Sequence, residues 1–141
     1  MRDCVFCNIV RAESPESLVY SDEETIAFMD IQPVNPGHVL VIPKSHVEGL
    51  SDLDEETGSH VFKTGMRVAN AIKRSGIRCE GVNLLLSDGK AAFQEIPHVH
   101  LHVIPRFEGD NLRFSFGRKY GVRPERNELD TIAARIRNAL R

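Results

Sequence analysis

Apolar residues cluster in four short stretches and recur at three and four in two longer ones. The short stretches predict strands over TIAFMD (25–30), HVLVIP (38–43), VNLLLS (82–87) and HVHLHVIP (98–105), each bounded by turn residues. The first two are joined by IQPVNPG, whose two prolines and glycine predict a turn. The last is expected to stop at Pro105, which has no N–H to offer a ladder. LSDLDEE offers Asp52 or Asp54 as a helix N-cap, with glutamates in the first turn. Val61, Phe62, Gly65, Val68, Ala69 and Ile72 then form one apolar helical stripe, which should end near Ser75-Gly76. Pro124 suits the first position of a second helix, whose stripe is Leu129, Ile132, Ala133, Ile136 and Leu140. Hairpin-like strands with separate helices predict an α+β fold with an antiparallel sheet, as one domain over residues 1–141.

Composition adds little to that picture beyond compartment. The apolar stretches fall far short of the roughly 20 residues a membrane span needs. MRDCVFCNIV lacks the apolar core of a secretory signal, so the expected compartment is the cytoplasm. There the three cysteines should be thiols, zinc ligands or redox groups rather than disulfides. Charge is uneven: 9 basic and 15 acidic residues up to residue 105, then 9 basic and 5 acidic. The tail cations Arg113, Arg118, Lys119 and Arg123 either line an anion's path or stay solvated. His60, on the polar side of the first helix, is expected to be exposed, and the solitary Cys79 to be a small buried hydrophobe.

The chemistry lies in HVHLHVIP. Strand alternation puts His98, His100 and His102 on one face and Val99, Leu101 and Val103 on the other. A polar sheet face that happens to be histidine-rich is one reading. A three-histidine zinc site is a second, but His98 and His102 should lie roughly 13 Å apart along the strand. Zinc needs every ligand nitrogen about 2.0 Å from one point, so at least one ring is free for other work. Nucleophilic catalysis is the third: neutral imidazole attacks phosphorus well, and the adduct is labile enough to be hydrolysed in turn.

HVHLHVI resembles the His-φ-His-φ-His-φ-φ signature (φ apolar) of the histidine triad, or HIT, family of nucleotidyl hydrolases and transferases. GHVLVIPKSH (37–46), FMDIQP (28–33) and the opening CVFCNIV resemble further segments of that family. The likeness runs from about residue 4 to Arg106 and leaves 107–141 as a variable tail with a C-terminal helix. It implies an antiparallel sheet of about five strands with one long helix packed on it. It also implies cleavage at the α-phosphate of nucleoside phosphoramidates or dinucleoside polyphosphates, releasing AMP through a covalent nucleotidyl intermediate on His100.

By the same resemblance His102 donates to the α-phosphoryl oxygens, His98 helps orient the strand, and His38 is a fourth active-site histidine. Gln94 approaches the phosphate or scissile oxygen, Asp30 bonds ribose hydroxyls, and Ile31 flanks the base; on its own, Asp30 would be expected to cap a turn. Three positions depart from the common pattern: Ser87 for a polar amide, Phe93 for a glycine, and Glu95 for a residue that is a hydroxyl in some members. They leave the leaving-group preference open.

Cys4-x-x-Cys7 alone is a weak signal. The resemblance, extended to the related galactose-phosphate uridylyltransferases, adds His46 and His98 and implies a structural Cys₂His₂ zinc. A purine nucleotide substrate and a homodimer are expected, with no membrane or nucleic-acid partner. The alternative is a non-catalytic, zinc-stabilised nucleotide-binding or interaction module. A metal-dependent hydrolase is a third reading, against which chelator-resistant activity would count.

Overall fold

The computed structural model describes residues 4–140. The elements are α1 (Val5–Val10), β1 (Leu18–Ser21), β2 (Thr25–Met29), β3 (Val39–Pro43), α2 (Glu55–Arg74), β4 (Gly81–Leu86), β5 (Leu101–Arg106) and α3 (Arg126–Ala139). The five strands form one antiparallel sheet in the order β1-β2-β3-β5-β4. The fold is α+β with helices laid on a sheet, as the pattern predicts.

β3 is buried along its whole length, because both faces of the sheet are covered there. Val39 and Val41 join Val61, Val68, Ala69 and Ile72 of α2 in one apolar cluster. Leu40 and Ile42 join Cys4, Phe6, Cys7 and Ile9, the α1 side, in another. Each large aliphatic removed from water this way contributes about 1.5–3 kcal/mol. The register pairs Leu40 with His102 and Val41 with Leu101. His102 therefore shares the α1 face, while Leu101 and Val103 pack toward α2. Gly65 lets α2 sit this close: a Cβ there would meet Leu101 Cδ2 at 2.6 Å.

Local signals place most ends correctly. Asp54, not Asp52, caps α2 by accepting the Thr57 N–H at 2.8 Å, and the helix stops at Ser75 before Gly76 at φ 87°. The turn between β2 and β3 closes at Gly37 with φ 96°, a conformation that favours glycine.

Several expectations need correction. β5 begins only at Leu101, so His98, Val99 and His100 are its lead-in, tied by the Val99 N–H to the Val47 carbonyl at 2.7 Å. Pro105 does not stop that strand; it lies inside it, opposite Val82. Pairing with β3 ends at Val103, so the missing N–H falls on the β3 side of the strand, where no ladder remains to be broken. The Pro105 carbonyl instead accepts the buried Asn35 amide at 2.9 Å. Phe62 is exposed rather than part of the buried stripe. His60 is half-buried, 2.7 Å from Asp22 and 3.3 Å from Glu24, and ties α2 to the β1–β2 turn. Pro124 precedes the N-cap Glu125 rather than opening α3. Cys79 is half-buried against the α2-side core, with its thiol donating to the Gly81 carbonyl.

α1 and β1 carry no clear pattern in the sequence. The first is six residues long and the second a short, mostly exposed edge strand. α3 presents its apolar stripe to solvent: Leu129, Ile132, Ile136 and Leu140 are all exposed. Among the described residues no helix is long and apolar enough to cross a membrane.

Candidate functional site

The three histidines diverge within five residues because each ring is fixed by a different second partner. His98 is wholly buried. Its Nε2–H donates to the Pro43 carbonyl at 2.8 Å, which leaves Nδ1 as a lone pair. That nitrogen lies 3.5 Å from Cys4 Sγ and 3.7 Å from Cys7 Sγ, and His46 Nδ1 lies 3.2 Å from Cys7 Sγ.

The Cys4, Cys7, His46 and His98 donor atoms all lie within 4.8 Å of one another. Four ligands around a tetrahedral zinc stand about 3.3–3.8 Å apart, from bond lengths near 2.0 and 2.3 Å. The spacing fits, the donors are two thiols and two imidazoles, and Pro43 sets the His98 tautomer as an outer-shell carbonyl should. Burial raises the Cys7 thiol above its ordinary value and lowers His98, so both of these groups favour their uncharged forms until a cation draws off the Cys7 proton.

His100 is turned the other way. Its Nδ1 lies 2.7 Å from the backbone carbonyl of His98. A carbonyl only accepts, so Nδ1 carries the hydrogen and Nε2 keeps the lone pair. The ring stands edge-on to Phe6 at 5.2 Å and to His102 at 5.0 Å.

His102 completes a relay whose direction the backbone decides. The Val34 N–H donates to His38 Nδ1 at 3.1 Å, so His38 holds its hydrogen on Nε2. That hydrogen goes to His102 Nδ1 at 2.9 Å, which leaves the His102 hydrogen on Nε2 as a free donor. Burial, then the neighbouring imidazoles of His100 and His38, push His102 down to about 4. Burial also lowers His38, opposed by the Asp30 carboxylate. Both rings are therefore neutral near pH 7, which the relay requires.

Asp30 performs two tasks. Oδ1 accepts the Gln32 N–H at 2.8 Å, the turn-capping role expected of it in isolation. Oδ2 stands 3.5 Å from His38 Nε2. Asp30, His38 and His102 are close enough to hold a cation. However, a metal on His38 Nε2 would force a hydrogen onto Nδ1, against the Val34 N–H. The hydrogen bonds favour a donor relay over a metal site.

These rings open on a cleft of about 450 Å³, a size suited to a small-molecule ligand. Of the residues singled out from the sequence, Asp30, Ile31, His38, Phe93, Glu95, His100 and His102 line it. Ser87 and Gln94 do not. Both ends of the Gln94 amide are engaged by backbone: Oε1 accepts the Gly89 N–H, and Nε2 donates to the Glu48 and Ile96 carbonyls. None of Arg113, Arg118, Lys119 and Arg123 lines the cleft.

Sequence reasoning missed its apolar wall of Val5, Phe6, Ile9 and Phe28. Val5 and Ile9 are four apart on α1, so the signal existed, but a single turn and a half of helix is too short to read. Phe6 and Phe28 meet edge-to-face at 5.5 Å.

Known proteins resemble this chain in sequence and fold. The HIT domain family matches residues 11–109. An uncharacterized HIT-like protein of Borreliella burgdorferi is 41% identical over 127 residues, covering 89% of this chain and 91% of that one. The adenosine 5'-monophosphoramidase of Saccharomyces cerevisiae is 38% identical over 103 residues, 73% of this chain and 62% of that one. The crystal structure of a HIT family protein from Bacillus anthracis superposes with a TM-score of 0.90 at 37% identity, covering 99% and 98% of the two chains. A zinc-bound histidine triad family protein from Mycobacterium smegmatis superposes at 0.77 with 40% identity and 99% of each chain covered. The histidine run, its partners and these matches agree: the chain belongs to the HIT family.

Proposed function

We propose that the protein is a nucleotidyl hydrolase that cleaves at the α-phosphate of nucleoside phosphoramidates or dinucleoside polyphosphates, with His100 as nucleophile. The observation that carries this reading is the paired polarity of two adjacent rings. His100 offers an Nε2 lone pair, and His102 beside it offers an Nε2–H.

A nucleotide with its base against Phe6 and Phe28, and its ribose at Asp30, would bring its α-phosphate to these rings. The His100 Nε2 lone pair forms a bond to phosphorus as the bond from phosphorus to the leaving nitrogen or oxygen breaks. A leaving nitrogen takes a proton from solvent and departs as the amine. His102 donates to the phosphoryl oxygen where negative charge grows. Water then attacks phosphorus, the Nε2–P bond breaks, and AMP leaves with His100 restored.

Cys4, Cys7, His46 and His98 would hold a structural zinc, whose contribution is to pin α1 and the lead-in of β5 together. The chain works as one domain over residues 1–141 and as a homodimer in the cytoplasm, with the exposed stripe of α3 available to a partner.

The test is AMP release from adenosine 5'-phosphoramidate and from diadenosine polyphosphates, side by side, for wild type and His100→Ala. Turnover that vanishes in the variant supports the reading. Activity that survives would mean the nucleophile is elsewhere. Wild type that binds AMP yet turns over neither substrate would make the protein a nucleotide-binding module.

A further inference from the structure

Phe93 is costly where it stands. Its backbone lies in the left-handed region, φ 67° and ψ 31°, which costs an L-residue about 1–2 kcal/mol. Its ring gains nothing from burial in return, being 88% exposed. The loop that presents it is not slack. The Phe93 N–H donates to the Lys90 carbonyl at 3.0 Å, and the next residue, Gln94, staples Gly89, Glu48 and Ile96 through its amide. A strained, exposed aromatic on a braced loop calls for a ligand to explain it.

Glu95 lies two residues on and lines the same cleft. Its carboxylate is exposed, and among the described residues no cation pairs with it. Asp30 follows β2, His38 immediately precedes β3, His102 lies in β5, and Phe93 and Glu95 lie on the β4–β5 connection. The sheet order thus sets the reactive rings between the Asp30 end of the cleft and the Phe93–Glu95 end. If the nucleoside takes the former, the departing group meets the latter.

We propose that Phe93 and Glu95 form a leaving-group subsite that selects a positively charged amine. The ring offers its face to the cation or its methylene stem, and the carboxylate supplies the opposite charge. This rests on the hydrolase reading above and narrows it to phosphoramidates whose amine carries a second ammonium. A polyphosphate leaving group meets repulsion from Glu95 instead.

The experiment compares kcat/KM for AMP release by the full chain from two adenosine 5'-phosphoramidates and one polyphosphate. The amines are 1,4-diaminobutane and n-pentylamine, which match in length and differ in the terminal charge; the polyphosphate is diadenosine tetraphosphate. Wild type should prefer the diamine adduct over the pentyl one by about fourfold, less at high salt. Glu95→Gln should bring that ratio close to one and raise relative activity on the polyphosphate. Phe93→Leu should lower the ratio by about half. Phe93→Gly should lower it too while raising Tm, because glycine accepts the positive φ.

Equal kcat/KM for the two amines in wild type would overturn the proposal. So would variants that slow all three substrates alike, since the pair would then only shape the loop. No AMP from any of the three would overturn the hydrolase reading, and this subsite with it.

Discussion

At its thiol end the histidine run is dry and closed. His98 has no exposure, its Nε2–H is spent on Pro43, and its Nδ1 faces two sulfurs and His46. At its cleft end the rings are also largely buried, yet each keeps one nitrogen unspent: the Nε2 lone pair of His100 and the Nε2–H of His102. Both ends use backbone groups to choose tautomers, Pro43 and His98 carbonyls in one direction and the Val34 N–H in the other. A histidine's chemistry here is therefore set by the partner of its second nitrogen more than by the ring or its neighbours in sequence.

Removing the proposed nucleophile should have the largest effect. His100→Ala is expected to lose turnover by at least about a thousandfold, while AMP affinity, measured by calorimetry, changes far less. A variant with near-wild-type kcat would end the assignment.

The closed end should answer in stability rather than chemistry. If the four donors hold zinc as proposed, elemental analysis should give about one equivalent for wild type and none for Cys4→Ser together with Cys7→Ser, which should also lose about 4 kcal/mol in urea unfolding. Unchanged metal content and unfolding midpoint would mean these four residues hold nothing.

His38 tests the relay between the two. His38→Ala should lower kcat about ten- to a hundredfold with a smaller change in KM, because His102 loses the donor that fixes its tautomer. His38→Gln, which can still present an N–H, should recover part of the loss; no recovery would argue that the ring serves packing alone.

The same ring pair makes stability depend on pH. His102 titrates at about 4 in the folded protein, against an ordinary value near 6.5 in the unfolded chain. Between those values the unfolded state binds more protons, so stability is full above about pH 6.5 and falls as pH drops toward 4. Allowing for solvent at the cleft edge, the loss attributable to His102 is about 1–2 kcal/mol. It should be absent in His102→Asn, compared by urea unfolding at pH 7 and 4.5.

The smallest effect concerns what seats the run. Gly65→Ala gains about 0.5–1 kcal/mol of helix propensity but drives a methyl into Leu101, between His100 and His102. Overpacking costs about 1–3 kcal/mol, so a net loss near 1 kcal/mol is expected by thermal unfolding. A stabilised variant would show that Leu101 yields freely.

Much of this protein follows from local pattern. Short-range physics acts within a few residues, so the strand over β3, an aspartate cap at 52 or 54 and most of the α2 stripe could be read directly from the chain. The HIT likeness of HVHLHVI added roles that periodicity never could. Other features arise from contacts between segments far apart in sequence. Pro105 survives inside a strand because the pairing of β5 with β3 stops at Val103, two residues before it. Gln94, named for the phosphate, turns to brace its own loop. α1, too short to announce itself, supplies Phe6 to the cleft and Cys7 to the thiol cluster. The run of histidines was legible as a motif; which nitrogen each would offer was not. That depends on a carbonyl of Pro43, 55 positions from His98, and on His38, 64 positions from His102. Hydrogen-bond direction is a property of folded neighbours, and only the tertiary structure sets it.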